Sequence, residues 1–191
     1  MATTSSAKLN IAGLGHVYYA EADKKPFSLT SYQFKGGAAQ SEGEWKWIGD
    51  HSSESMPEFS TDGGDTTTKR SWDRLSLRTT RSAENVTGTL HIVNLEAETF
   101  QLAFGASSGT GSVKIGANAQ ATNKAFFIVV EDEENVAGLY LPNVSLKGSF
   151  PNFSLEEFTE IPINLAINGS ATQSAGSGGQ LLWEWFPPVA K

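Results

Sequence analysis

Residues 159–168 read TEIPINLAIN, and Ile161, Ile163, Leu165 and Ile167 fall on alternate positions. A period of two puts all four on one face of an extended strand. It cannot make a helical stripe, which needs a period near 3.6. The alternation returns in Leu9, Ile11, Val17 and Tyr19, interrupted by Gly13 and Gly15 as a bulged strand would be. It recurs in FSLTSYQF (27–34), in EWKWIG (44–49) with Trp45 and Trp47 on one face, and in VTGTLHIV (86–93) with Val86, Leu90 and Ile92. Phe126 to Val130 are apolar throughout, so both faces of that strand are expected to be covered. The acidic run 131–134 with Asn135 then turns the chain back as a hairpin. LLWEWF (181–186) is a last strand, expected to stop at Pro187-Pro188.

Only NLEAETFQLAFG (94–105) has helical character. Asn94 is its expected N-cap, Glu96 and Glu98 lie in the first turn, and Gly105 closes it. The stretch TTTKRSWDRLSLRTT (66–80) is expected as a strand, with Leu75 and Leu77 on one face and Arg70, Trp72, Arg74 and Arg78 on the other. Residues 50–65 lack apolar periodicity and contain Pro57 and Gly63-Gly64, which predicts one long inter-strand loop. Another Gly/Ser-rich loop spans 105–123. The result is a mainly β fold of about eight to ten strands, a sandwich or partial barrel with one short packed α-helix. The 191 residues suit a single domain over 1–191, with 1–7 as a flexible N-terminal arm.

Charge narrows the function. The chain carries 14 Lys and Arg against 21 Asp and Glu, a net −7, whereas nucleic-acid binding needs a basic surface. The one dense positive region is Lys69, Arg70, Arg74, Arg78 and Arg81. With no cysteine, disulfides, thiol nucleophiles and Cys-ligated zinc are excluded. MATTSSAKLN lacks the apolar centre of a signal peptide and no apolar run reaches membrane-spanning length, so an intracellular product with no membrane partner is expected.

The letters of catalysis are present without their context. GDHSS (49–53) sets Asp50, His51 and Ser52 side by side. Adjacent residues rarely aim their side chains at each other as a nucleophile and base must. The other histidines are His16 and His91. No Asp-x-x-His, Gly-x-Ser-x-Gly, H-E-x-x-H or phosphate-loop motif accompanies them. TDGGD (61–65) lacks the alternating ligands of a calcium loop. No catalytic, metal or cofactor residue is assigned, and none is expected.

The stretch 44–78 carries Trp45, Ile48-Gly49, His51-Ser52, Glu54, Phe59, Gly63-Gly64-Asp65, Trp72 and Leu77-Arg78. This resembles the signature region of major tail tube proteins of long-tailed bacteriophages with non-contractile tails, most similar to those of phages infecting actinobacteria. The resemblance implies a structural virion protein, not an enzyme, assembled in the host cytoplasm. It implies homohexameric rings that share a continuous inner β-barrel and stack into a hollow tube, through which viral double-stranded DNA passes during ejection without specific binding. The tape measure, tail terminator and distal tail proteins are the implied partners, and the strands over 44–49 and 66–80 would face the lumen. The loop 50–65 would then contact the next ring through Asp50, His51, Ser52, Glu54, Phe59, Asp62 and Asp65. Arg70, Arg74 and Arg78 would pair with acidic residues of neighbouring subunits. Two other readings stand beside it: a β-sandwich binding module for carbohydrate or a cell surface using Trp45, Trp47, Trp183 and Trp185, and a serine hydrolase using Ser52 and His51.

Overall fold

The computed structural model describes residues 13–36, 41–117, 122–153, 155–176 and 178–191. The strands are β1 (Leu14–Glu21), β2 (Ser41–Glu42), β3 (Trp45–Trp47), β4 (Glu58–Gly63), β5 (Thr66–Lys69), β6 (Arg78–Arg81) and β7 (Glu84–Ile92). After helix α1 (Ala97–Phe104) come β8 (Ser107–Gly109), β9 (Ser112–Lys114), β10 (Asn123–Glu131), β11 (Asn135–Gly148), β12 (Ile161–Asn168) and β13 (Glu184–Ala190). The main sheet runs β2-β3-β1-β10-β11-β12-β7-β4. The short pairs β5-β6 and β8-β9 stand apart from it.

β11 organises the sheet. β10 pairs along nearly all of it, but its other edge is divided. The first half, from Asn135 to Tyr140, takes β13, and the second, from Asn143 to Gly148, takes β12. The alternation predicted for β12 holds: Ile161, Ile163, Leu165 and Ile167 are all buried. They share one cluster with Val17 and Tyr19 of β1, Phe126 and Ile128 of β10 and Leu90 and Ile92 of β7. Strands far apart in the sheet order thus meet over one core, so the sheet curls strongly on itself. It is not closed into a barrel.

The other face of β1 and β10 is also covered, as the apolar run 126–130 predicts. Tyr18, Phe127, Val129 and Tyr140 form a second cluster with Trp45 and Trp47. Residues 27–34 supply part of its cover. They are not the strand expected from their alternation. Ser31 adopts φ 63 and Tyr32 N–H donates to the Leu29 carbonyl, so the chain turns there. The apolar residues Phe27, Leu29, Tyr32 and Phe34 are spent on packing across the sheet instead of joining its ladder. Gly138 is required beneath this aromatic layer, because a Cβ there would lie 2.5 Å from Phe127 Cε2.

Other expectations need correction. The helix is shorter than predicted: Glu96 stands at its N-cap with no side-chain cap bond, and Gly105 closes it in the left-handed conformation. Asn94 instead lies against Gly49. The helix buries Thr99, Leu102 and Ala103 on the first core, and Glu98 ties it down by accepting from Tyr19 Oη and Lys46 Nζ, each at 2.8 Å. β13 continues through Pro187-Pro188 with a register irregularity opposite. Among the described residues it pairs with β11 alone, and an edge strand tolerates a missing N–H. Leu9, Ile11 and the arm 1–7 lie outside the described residues.

Candidate functional site

The chain after β3 performs a structural crossing. Ile48 N–H donates to the Val17 carbonyl of β1 at 3.0 Å. Two residues later Val93 N–H donates to the Asp50 carbonyl, and Ser52 N–H to the His91 carbonyl. His51 bridges Ile92. Residues 48–52 therefore span from one end of the curled sheet to the other. Gly49 makes the corner possible: its φ is +114, and a Cβ would come within 2.8 Å of Asn94 Cβ.

The GDHSS side chains serve this corner. Ser52 is buried, and its Oγ accepts the N–H groups of Glu54 and Ser55, each at 3.3 Å. Its hydroxyl also bonds to Glu160, which with His91 holds that carboxyl below its ordinary range. Glu160 Oε2 lies 2.8 Å from His91 Nδ1. Serine and histidine thus both bond to one carboxylate, and no hydroxyl-to-imidazole step is formed as a nucleophile would require. His51 Nε2 is fully occluded, with no hydrogen-bond partner among the described residues. Burial drives the His51 pKa down to about 4, opposed by a hydrogen bond with the Gly49 backbone and assisted by His16.

Beyond the corner the chain runs along the edge of the main sheet and then leaves the body. The single loop expected over 50–65 is corrected: Glu58–Gly63 is β4, paired along β7 from Glu58↔Thr89 to Gly63↔Glu84. The strand over 66–80 is corrected as well, to two strands, β5 and β6, joined by a tip at 70–77. Every residue from 58 to 85 except Gly64 is exposed. With no core beneath either face, the backbone ladder forms without hydrophobic alternation, which is why periodicity missed β4. Phe59 lies across Gly88, where a Cβ would sit 2.6 Å from its ring. Gly63 and Gly64, both at positive φ, do not turn the hairpin but kink it between the two ladders. A Cβ on Gly63 would lie 2.3 Å from the Ala83 carbonyl oxygen. Asp62 accepts from Gly63 N–H, and Asp65 N–H donates to Ser82 Oγ, so both acids begin this kink.

The predicted contact residues therefore divide. Ser52 and the ring of His51 are used inside the corner. Asp50 and Glu54 have exposed side chains beside it. Phe59, Asp62 and Asp65 lie on the arm, and Arg70, Arg74 and Arg78 lie at or next to its tip. The latter three form no ion pair among the described residues. Trp72 is 102% exposed, Leu75 83% and Leu77 57%. Trp45 and Trp47 are core residues, whereas Trp183 and Trp185 are half-exposed.

Sequence reasoning missed one surface. The connection from β11 to β12 leaves Phe150, Phe153, Leu155 and Phe158 exposed. Their spacing fits neither a strand nor a helix, and four large apolar residues without a period were the available signal.

The sequence matches the family described as phage tail tube protein over residues 1–179. It is similar to the major tail protein Gp23 of Mycobacterium phage D29, 28% identical over 142 residues, covering 69% of this chain and 69% of that protein. The resemblance carried by residues 44–78 is thereby extended to nearly the whole chain. An arm without a core, on a β body whose catalytic letters are structural, suits a subunit that is completed by other copies; the chain belongs to the phage tail tube protein family and is a structural component of the virion tail, assembled in many copies.

Proposed function

We propose that this chain is the major tail tube subunit of a phage with a long non-contractile tail, stacking as hexameric rings into a hollow tube that conducts the genome during ejection. The arm over 58–85 carries this reading. It buries almost nothing within its own chain, so neighbouring copies are what it is built to touch. β4 also presents an outer edge that no described strand pairs, and a ring of copies removes such an edge by pairing it into a shared barrel. The net charge of −7 suits a conduit that DNA passes without binding. Phe59, Asp62 and Asp65 on the arm, with Asp50 and Glu54 beside the corner, are the ring-contact residues in this reading. The tape measure, terminator and distal tail proteins are the further partners. Negative-stain microscopy of the purified protein across a concentration series tests it. Sixfold rings and tubes are expected. Protein that stays monomeric at every salt and concentration, with or without added distal tail protein, refutes it.

A further inference from the structure

Two exposed apolar patches among the described residues carry opposite charge. All four of its arginines lie between positions 70 and 81, in the arm. Arg81 is engaged there with Glu84. That leaves Lys69, Arg70, Arg74 and Arg78 around Trp72, Leu75 and Leu77, with Asp73 as the single acid. The β11–β12 connection sets Glu156 and Glu157 among Phe150, Phe153, Leu155 and Phe158, and contains no base. Neither acid forms an ion pair among the described residues. The two patches also lie toward opposite ends of β7. The connection is fixed beside His91 through Glu160, while the arm continues past Glu84. The intervening strand alone spans roughly 25 Å, so one chain does not bring its own patches together.

We propose that the arginine-rich arm tip of one copy docks on the Phe-rich acidic β11–β12 connection of a second copy. Two different, complementary patches at opposite ends make a heterologous contact, which repeats head to tail and does not close as a dimer. Trp72, Leu75 and Leu77 supply the apolar centre, and arginine to glutamate pairs supply orientation. This rests on the tube reading above and gives its unpaired arginines an acidic partner.

Charge reversal tests it. R70E/R74E/R78E and E156R/E157R should each raise the protein concentration needed for assembly by at least about tenfold, as like-charge juxtaposition does. A chain carrying all five substitutions should return to within about threefold of the starting protein, because the opposite signs are restored. Circular dichroism confirms that each exposed-site variant is folded. The chain has no native cysteine, so S71C/N152C can be treated with a short bismaleimide after assembly. Peptides containing positions 71 and 152 should be recovered joined between copies. Tubes that form at unchanged concentration in either reversed chain, a five-fold variant that is not rescued, or assembled protein with no 71–152 link overturns the docking pair alone. Unsubstituted protein that never assembles, with or without added distal tail protein, overturns the tube reading and the docking pair with it.

Discussion

The occluded Nε2 of His51 makes the corner acid-sensitive, and the size of the effect follows from its surroundings. Its Nε2 has neither solvent nor a partner among the described residues, and burial moves the imidazole from its ordinary 6.5 to about 4. The unfolded chain therefore takes up this proton more readily than the folded one. The contribution is complete above pH 6.5, declines as pH falls, and is lost once pH passes about 4. Its limiting size is about 3 kcal/mol, of which about 2 kcal/mol disappears between pH 7 and pH 5. For a domain of this length that corresponds to a Tm lower by roughly 4–8 °C. The carboxylates Glu98, Glu131 and Glu160, all held below their ordinary 4.5, act in more acid solution. The assay is urea unfolding at pH 7 and pH 5 of dilute, unassembled protein, for the native sequence and for His51→Gln. The glutamine variant keeps a polar side chain but cannot titrate, and His16 and His91 are common to both proteins. The variant should lose about 2 kcal/mol less between the two pH values. Equal losses, to within about 0.5 kcal/mol, would refute the assignment of an occluded neutral imidazole.

Two glycines that both face aromatic rings should respond differently to alanine. Gly138→Ala drives a Cβ into the buried Phe127 and should cost about 1–3 kcal/mol in denaturant titration. Gly88→Ala meets Phe59, whose partly exposed ring can swing into solvent, and should cost clearly less. Trp72→Ala should leave the unfolding free energy of the subunit within about 0.5 kcal/mol while abolishing tube formation by electron microscopy. Ser52→Ala removes the acceptor for two backbone N–H groups, so a loss of about 1–2 kcal/mol is expected, read by thermal unfolding.

Where burial and alternation coincide, the fold was readable. β12, β3, the β10–β11 hairpin and the closing Gly105 are all predicted from residue pattern, because each has a core under one or both faces. The pattern misled at 27–34, where the same period-two spacing comes from side chains lying across a sheet while the backbone turns. It was silent at β4, whose exposed ladder leaves no hydrophobic trace. At Pro187-Pro188 a local rule about missing donors was overridden by the edge position of β13. The proposed contact surface is only half visible in the sequence. The basic density at 69–81 is visible in the letters. That Ser52 is consumed by a corner depends on residues 91, 93 and 160 meeting it in space, which no local pattern records. The importance of Phe150 to Phe158 rests on exposure, and exposure is a property of the fold.

The absence of a core in the arm has a kinetic consequence for polymer growth. Ordering a chain segment costs about 1–2 kcal/mol of backbone entropy per residue, and in the free subunit almost no burial offsets that cost over residues 58–85. The offset arrives only with a neighbour. A first encounter between two subunits must therefore organise arms on both sides, whereas a subunit joining a formed end meets surfaces already set. On the tube reading, nucleation is penalised relative to elongation, so assembly of the purified protein should show a concentration-dependent lag that preformed ends shorten.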